Sequence, residues 1–318
     1  MGTLAATAMI GSRLIAFDMP AATNWQTHKK LAGGFPSARW NNASGIGTKN
    51  FSKNFLVESF NCFSGLGKWG GPQELRLFSA IAPTGPDTLF FAGDLGQRIF
   101  QQPFSWTTLG IDVRDRSHTL KVNYRTSHQI RQTADHLLPR IVRDVDGLEE
   151  ERFGTVSVFN GPDPLISVHA DAQAEVAAVI RWISQAIADG IKPSEVGVFV
   201  RTRNQVDRAR SAVTATGHGV LELSERSEDP VGRISIGTMH LAKGLEFKAV
   251  AVIACDDEVL PLQSRIESVA DEVELDDVYE TERQLLYVAC TRARDRLWVS
   301  GIDPASEFLN DLRPTTAK

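Results

Sequence analysis

Apolar positions along this chain change their rhythm near Pro72. Before it, Gly, Ser, Asn, Ala, Lys and Trp are scattered without a period of 2.0 or 3.6, as in Gly33-Gly34-Phe35-Pro36-Ser37 and Asn41-Asn42-Ala43-Ser44-Gly45. No element can be placed over 1–72 on that pattern. After Pro72 the pattern is regular. Leu75, Leu77, Phe78 and Ile81 share a helical face over Glu74 to Ala82. Thr88-Leu89-Phe90-Phe91-Ala92 is a short apolar run ending in Gly93-Asp94, the look of a buried parallel strand with a functional loop at its carboxyl end. Further strands are predicted at Thr119 to Asn123, Thr155 to Phe159, Val196 to Val200, Arg233 to Ile236, Ala249 to Ala254 and Arg296 to Ser300.

Helices fall between these runs. Thr126 or Ser127 can cap one whose Ile130, Ala134, Leu137, Leu138 and Ile141 share a face. Asp171 can cap a second, with Val176, Ile180, Ile183 and Ile187 on one face and Gly190 as its stop. A third is predicted from about Thr281 to Thr291, and the acidic stretch Glu267 to Glu282 before it reads as a solvated connection. Strands alternating with helices indicate an α/β, doubly wound parallel sheet.

Composition narrows the picture. A chain of 318 residues, 42% hydrophobic and 23% charged, is long enough for two ordinary domains. With 34 basic against 39 acidic residues the net charge is -5, so no overall field draws the protein to nucleic acid; any such contact needs a local patch. Cys62, Cys255 and Cys290 have neither metal-ligand spacing nor the even count of a disulfide framework, which predicts buried thiols in a reducing compartment. The apolar stretch Leu4 to Phe17 is interrupted by Arg13 and follows no basic region, and no run approaches the roughly 18 apolar residues of a membrane span. A cytoplasmic protein without membrane contact is expected.

Two arginines carry the candidate chemistry: Arg125 in Asn123-Tyr124-Arg125-Thr126, and Arg292 in Tyr287-Val288-Ala289-Cys290-Thr291-Arg292-Ala293-Arg294. Phosphoryl transfer needs guanidinium groups that meet charge on the transferred phosphate, a backbone cradle with a lysine, and an acid that holds Mg²⁺. The nearest approach to a G-x-x-x-x-G-K-[ST] cradle is Gly65-Leu66-Gly67-Lys68-Trp69, where Trp69 replaces the hydroxyl and Cys62 the first glycine. Lys68 therefore reads as a solvated lysine.

Four segments occur in order: Gly93-Asp94-Leu95-Gly96-Gln97-Arg98-Ile99, Asn123-Tyr124-Arg125-Thr126, Thr238-Met239-His240-Leu241-Ala242-Lys243-Gly244-Leu245-Glu246-Phe247, and Glu282-Arg283-Gln284-Leu285-Leu286 continuing to Arg294. Together they resemble motifs III to VI of the UvrD/Rep-like superfamily 1 DNA helicases, over roughly residues 72 to 302. The resemblance implies a RecA-like parallel sheet of the P-loop NTPase type. It divides the chain into a degenerate or poorly ordered segment over 1–72, a remnant of the first motor domain over 73–115, and a complete second RecA-like domain over 116–318.

It also implies roles. Gln97 would sense the γ-phosphate between the nucleotide and DNA sites. Arg125 and Arg292 would contact that phosphate; otherwise they make surface ion pairs to acids such as Glu282. Tyr124 would stack on the base of ATP, unless it is simply a core tyrosine, and Glu246 after Lys243-Gly244 would bind the ribose while Gly244 lets backbone approach the ligand. Thr238 and His240 would touch single-stranded DNA phosphates, with Thr126 at the edge of that site; a buried structural histidine is the competing reading of His240. Trp106, or failing it Phe104, would stack on a DNA base, unless both belong to an aromatic core.

The family uses ATP with Mg²⁺, held by an Asp-Glu-x-x-Asp segment, yet Asn61 to Gly71 contains no carboxylate and Glu58 and Glu74 lack the spacing. The chain is thus expected to be a truncated or degenerate 3′ to 5′ helicase that is inactive as an ATPase alone, with a change of reading frame as one route to the altered segment over 1–72. The rival expectation is a non-catalytic module that binds single-stranded DNA or partners another helicase or repair subunit.

Overall fold

The computed structural model of the chain describes residues 105–111, 117–143, 146–147, 149–151, 154–224 and 231–313, and upstream of these Arg76 and three short strands. Those strands, β1 (Arg13–Ile15), β2 (Val57–Ser59) and β3 (Phe90–Gly93), form a sheet with β4 (Ser117–Thr119) in the order β2-β3-β1-β4. Two of them lie where the sequence pattern placed no element, because three residues are too few to register a period. The apolar run at 88–92 does contain a strand. It is parallel to β2 but antiparallel to β1, so the all-parallel expectation needs correcting there.

The run expected from Thr119 to Asn123 is broken. β4 ends at Thr119, and β5 (Val122–Asn123) pairs instead with β8 (Val156–Ser157), while β6 (Ile141–Arg143) and β7 (Glu149–Glu151) make an antiparallel ribbon. Between β5 and β6, α1 (His128–Asp135) starts at Ser127, whose hydroxyl accepts from the Ile130 N–H at 3.5 Å. The helix is shorter than its apolar pattern: Leu137 and Leu138 are buried beyond its end, and Ile141 is an exposed strand residue rather than part of the helical face.

The main sheet has six strands, all parallel: β9 (Leu165–His169), β10 (Val196–Val200), β11 (Gly219–Glu222), β12 (Arg233–Thr238), β13 (Phe247–Val252) and β14 (Ala293–Ile302), in the spatial order β11-β12-β10-β13-β14-β9. Central strands are covered on both faces, as parallel sheets require. β10 sends Val196, Val198 and Val200 to one face and Phe199 to the other. Gly197 between them has no space for a side chain, since a Cβ there would lie 2.9 Å from the Phe199 ring.

On the Val198 face lie α2 (Ala172–Ala188) and α3 (Val206–Ala215), packing Val179, Ile183, Ala209 and Val213 onto the sheet. On the Phe199 face lie α1, α5 (Glu272–Cys290) and α6 (Phe308–Asp311), after the single turn α4 (Gln263–Ile266); Ile130, Leu285, Val288 and Phe308 meet Val250, Val252, Leu297 and Val299 there. Asp171 caps α2 by accepting from Ala174 N–H at 2.8 Å, and Gly190 follows that helix at φ +97°.

The acidic stretch Glu267 to Glu282 is largely exposed, as expected of a solvated segment, but from Glu272 it is the first half of α5 rather than a connection. Asp271 caps a helix that begins about nine residues earlier than the periodicity predicts, accepting from Glu274 N–H at 2.9 Å. Glu272 and Glu274 in the first turn suit the positive end of the helix dipole. Glu282 occupies a position of the buried face between Val278 and Leu285, and a charge there interrupts the apolar repeat. Among the described residues no helix is long and apolar enough to cross a membrane.

Candidate nucleotide and nucleic-acid site

Three chain segments meet where β13 and β14 begin. The Phe247 N–H donates to the Arg292 carbonyl at 3.0 Å, and the Ser127 N–H donates to the Arg294 carbonyl at 3.0 Å. These bonds bring the segment after β5, the entrance of β13 and the entrance of β14 to one edge. Asn123 shapes the first of them: its Oδ1 accepts from the N–H groups of Arg125 at 2.8 Å and Thr126 at 3.3 Å, a turn in which a short polar side chain replaces a backbone carbonyl. Tyr124 is left 52% exposed at the edge, while Thr126 is buried beneath it.

Arg125 crosses from this turn to the second segment. Its guanidinium donates to the Leu245 carbonyl and its Nε lies 3.5 Å from Glu246 Oε2. Gly244 at φ +84° makes the reversal that presents that carbonyl, in a conformation side-chain-bearing residues rarely adopt. Tyr124, Arg125, Gly244 and Glu246, far apart in sequence, are therefore neighbours.

Arg292 reaches the same edge with its backbone, but its side chain is only 1% exposed. Its Nε donates to the Val288 carbonyl at 2.9 Å and Nη2 reaches Thr291 Oγ1 at 3.2 Å. The guanidinium thus satisfies a terminal carbonyl of α5 and sits at the negative end of that helix. Both arginines share one edge, and only Arg125 shows part of its side chain there. Neither pairs with Glu282, the acid the ion-pair reading had offered them; Glu282 is engaged elsewhere.

Thr238 and His240 lie at the opposite, carboxyl-terminal end of the sheet, where Thr238 closes β12 and leads a 3-10 turn over Met239–Ala242. The Thr238 side chain makes no capping bond in that turn. Thr126, expected beside them, belongs with Arg125 at the amino-terminal edge. His240 is half-buried, and burial pushes its pKa down from 6.5 to about 4, with the charges of Arg201 and Arg265 adding to that effect and Glu282 opposing it. At neutral pH it is an uncharged imidazole.

Around it stands a group that sequence reasoning missed. Glu282, fully buried, accepts from Arg201 twice, Nε to Oε2 and Nη2 to Oε1, both at 2.6 Å, and from Arg265 Nη1 at 2.8 Å. Arg201 directly follows the buried strand β10, a signal that it ends on the carboxyl edge. Nothing local pairs it with an acid 81 positions away.

A second buried network lies at the same end of the sheet. Glu175 accepts from Ala254 N–H at 3.0 Å, Ser300 Oγ at 2.6 Å and Arg208 Nη1 at 2.9 Å. Arg208 also pairs with Asp256 at 2.9 Å, and Asp256 in turn accepts from Ile302 N–H at 2.9 Å. Cys255 and Cys290 are free and buried, and burial pushes both thiols up. The described residues contain no group of three or more His, Cys, Asp or Glu that could hold a metal ion. Trp106 is 5% exposed, its backbone N–H donating to Asp146 Oδ2, so a base could stack on it only if the ring were uncovered. Gln97, Phe104, Cys62, Lys68, the segment from Asn61 to Gly71 and the helix expected over 74–82 apart from Arg76 lie outside the described residues.

Residues 219–303 match the family of UvrD-like helicase C-terminal domains. This chain carries such a domain. The matched span runs from β11 through β14, so it includes Thr238, His240, Gly244, Glu246, Glu282 and Arg292. The ATP-dependent DNA helicase UvrD1 of Mycobacterium leprae is 36% identical over 98 residues, 27% of this chain and 12% of that protein. The ATP-dependent DNA helicase UvrD2 of Mycobacterium bovis is 23% identical over 77% of this chain and 49% of its own length. The ATP-dependent DNA helicase Rep of Buchnera aphidicola is 39% identical over 23% of this chain and 10% of its own. The chain thus spans half or less of these relatives. A crystal structure of the C-terminal domain of a possible DNA helicase from Lactobacillus plantarum aligns with 60% of this chain and 94% of that one, at 22% identity and a TM-score of 0.41.

Proposed function

We propose that the UvrD-like domain of this chain is the second RecA-like lobe of an ATP-dependent 3′ to 5′ DNA helicase, with ATP and Mg²⁺ as cofactors and single-stranded DNA as the track. The observation that carries this reading is the convergence of Arg125 on the Leu245 carbonyl and Glu246, beside the Phe247–Arg292 backbone bond.

The arrangement gives each side chain a task. Exposed Tyr124 offers a ring face to the base. Arg125 is held near its working position by an exposed carboxylate, which a phosphate can replace because guanidinium remains charged and binds both groups through forked donors. Glu246, released by that exchange, is left to accept from the ribose hydroxyls. Arg292 contributes only if its guanidinium leaves the Val288 carbonyl, so its engagement requires a rearrangement at the end of α5. Bound ATP would supply the phosphoanhydride whose cleavage drives stepping; Gln97 would report the γ-phosphate to the DNA side.

The sequence contains no G-x-x-x-x-G-K-[ST] segment, and that observation favours a second reading. The chain would then be a non-catalytic module that binds single-stranded DNA or completes another helicase or repair subunit. Steady-state ATP hydrolysis by the purified chain, with and without single-stranded DNA, tests the pair. The account expects no DNA-stimulated turnover from this chain alone, together with weak nucleotide binding that Arg125→Ala lowers by at least tenfold. DNA binding with no trace of nucleotide binding would favour the module.

A further inference from the structure

Nucleic-acid phosphates are met by positive charge or by clustered donors. This chain carries a net charge of -5, so attraction must come from a local surplus. His240, the residue at the expected DNA contact, does not supply it, because burial keeps its imidazole neutral down to a pKa of about 4. Two arginines lie beside it. Arg201 and Arg265 converge on one carboxylate, Glu282, giving two positive charges against one negative where β10 and β12 end.

The two arginines are not equivalent. Arg201 is buried and spends Nε and Nη2 on Glu282. Arg265 has a side chain 38% exposed and reaches Glu282 through Nη1 alone. A guanidinium has five N–H donors in a fixed fork, so donors remain on Arg265 for a second anion. Glu282 cannot swing away to compete for solvent, being fully buried on α5. It holds Arg265 in one geometry, which lowers the ordering cost of binding a ligand.

We propose that Arg265, positioned by Glu282 beside Thr238 and His240, is a phosphate contact for single-stranded nucleic acid. The inference rests on the reading that this domain binds single-stranded DNA, and adds which group supplies the charge. Thr238 and His240 then act as neutral hydrogen-bonding neighbours, and Glu282 is a positioning residue that touches no phosphate.

Fluorescence anisotropy with labelled oligothymidylate across a salt series tests it on the full chain. One phosphate contact on a single strand contributes about 0.7 to the slope of log affinity against log salt. Arg265→Gln should weaken binding and flatten the slope by about that amount. Arg265→Lys keeps the charge and should keep the slope. Lys192→Gln removes one exposed charge from the amino-terminal edge and should leave the slope unchanged. A wild-type slope in Arg265→Gln would overturn the assignment while leaving DNA binding by the domain intact, as would equal flattening in Lys192→Gln. No binding by the wild-type chain would overturn both the assignment and the reading beneath it.

Discussion

His240 and Glu282 show how burial decides what a charged or ionisable side chain does at the carboxyl end of this sheet. The folded-state pKa of His240, about 4, lies below its ordinary 6.5, so the unfolded chain takes up the proton first. Stability from this residue is therefore unchanged above about pH 6.5 and falls by about 1.4 kcal/mol per pH unit as pH drops toward 4. Urea denaturation over that window should show the slope in the wild-type chain and a shallower one in His240→Gln. Glu282→Gln leaves the buried Arg201 guanidinium without its carboxylate and should cost about 3–5 kcal/mol in the same measurement. The two residues differed in legibility. The helicase-like motif drew attention to His240, whereas the role of Glu282 depends on Arg201 and Arg265, which no local pattern connects to it. Arg125, Gly244, Glu246 and Arg292 could be named because each sits in a motif with distinctive neighbours. The buried posture of the Arg292 guanidinium could not, since it depends on how α5 ends against β14.

Whole elements were legible where burial is two-sided. β10 is a continuous apolar run, and β13 departs from one only at Lys248, because helices cover both faces. The edge strands β9 and β11 escape that signal. Leu165 in β9 is 50% exposed, and a strand half open to solvent next to a polar loop carries no clear period. α5 was seen only in its apolar second half, since its first half is acidic and begins at Asp271. Asp271→Ala should destabilise the chain by about 1 kcal/mol through loss of that cap, measurable by thermal or urea melting. A larger cost is expected at the end of β14. A Cβ on Gly301 would fall 2.2 Å from the Cys255 carbonyl oxygen, where Glu175 and Asp256 fix the chain on either side. Gly301→Ala should therefore cost more than Asp271→Ala, because a backbone atom rather than a flexible side chain must yield.

At the scale of the molecule, the parallel sheet separates two candidate sites. Tyr124, Arg125, Gly244 and Glu246 gather at its amino-terminal edge, and Thr238, His240 and Arg265 at its carboxyl-terminal end. α5 runs between them, from Glu282 at one site to its last residue, Cys290, about 12 Å further along the helix axis and just before Arg292 at the other. This placement could not be read from motif order alone, which lists the segments without saying which end of the sheet each occupies. The division is tested most directly by titrating adenine nucleotide into isotope-labelled chain and following backbone amide resonances. The account predicts shifts concentrated at Tyr124 to Thr126, Gly244 to Phe247 and Arg292 to Arg294, with those at Thr238 and Arg265 moving little. Saturable shifts centred on Arg201, Thr238 and Arg265 instead, with the Arg125 edge silent, would contradict it.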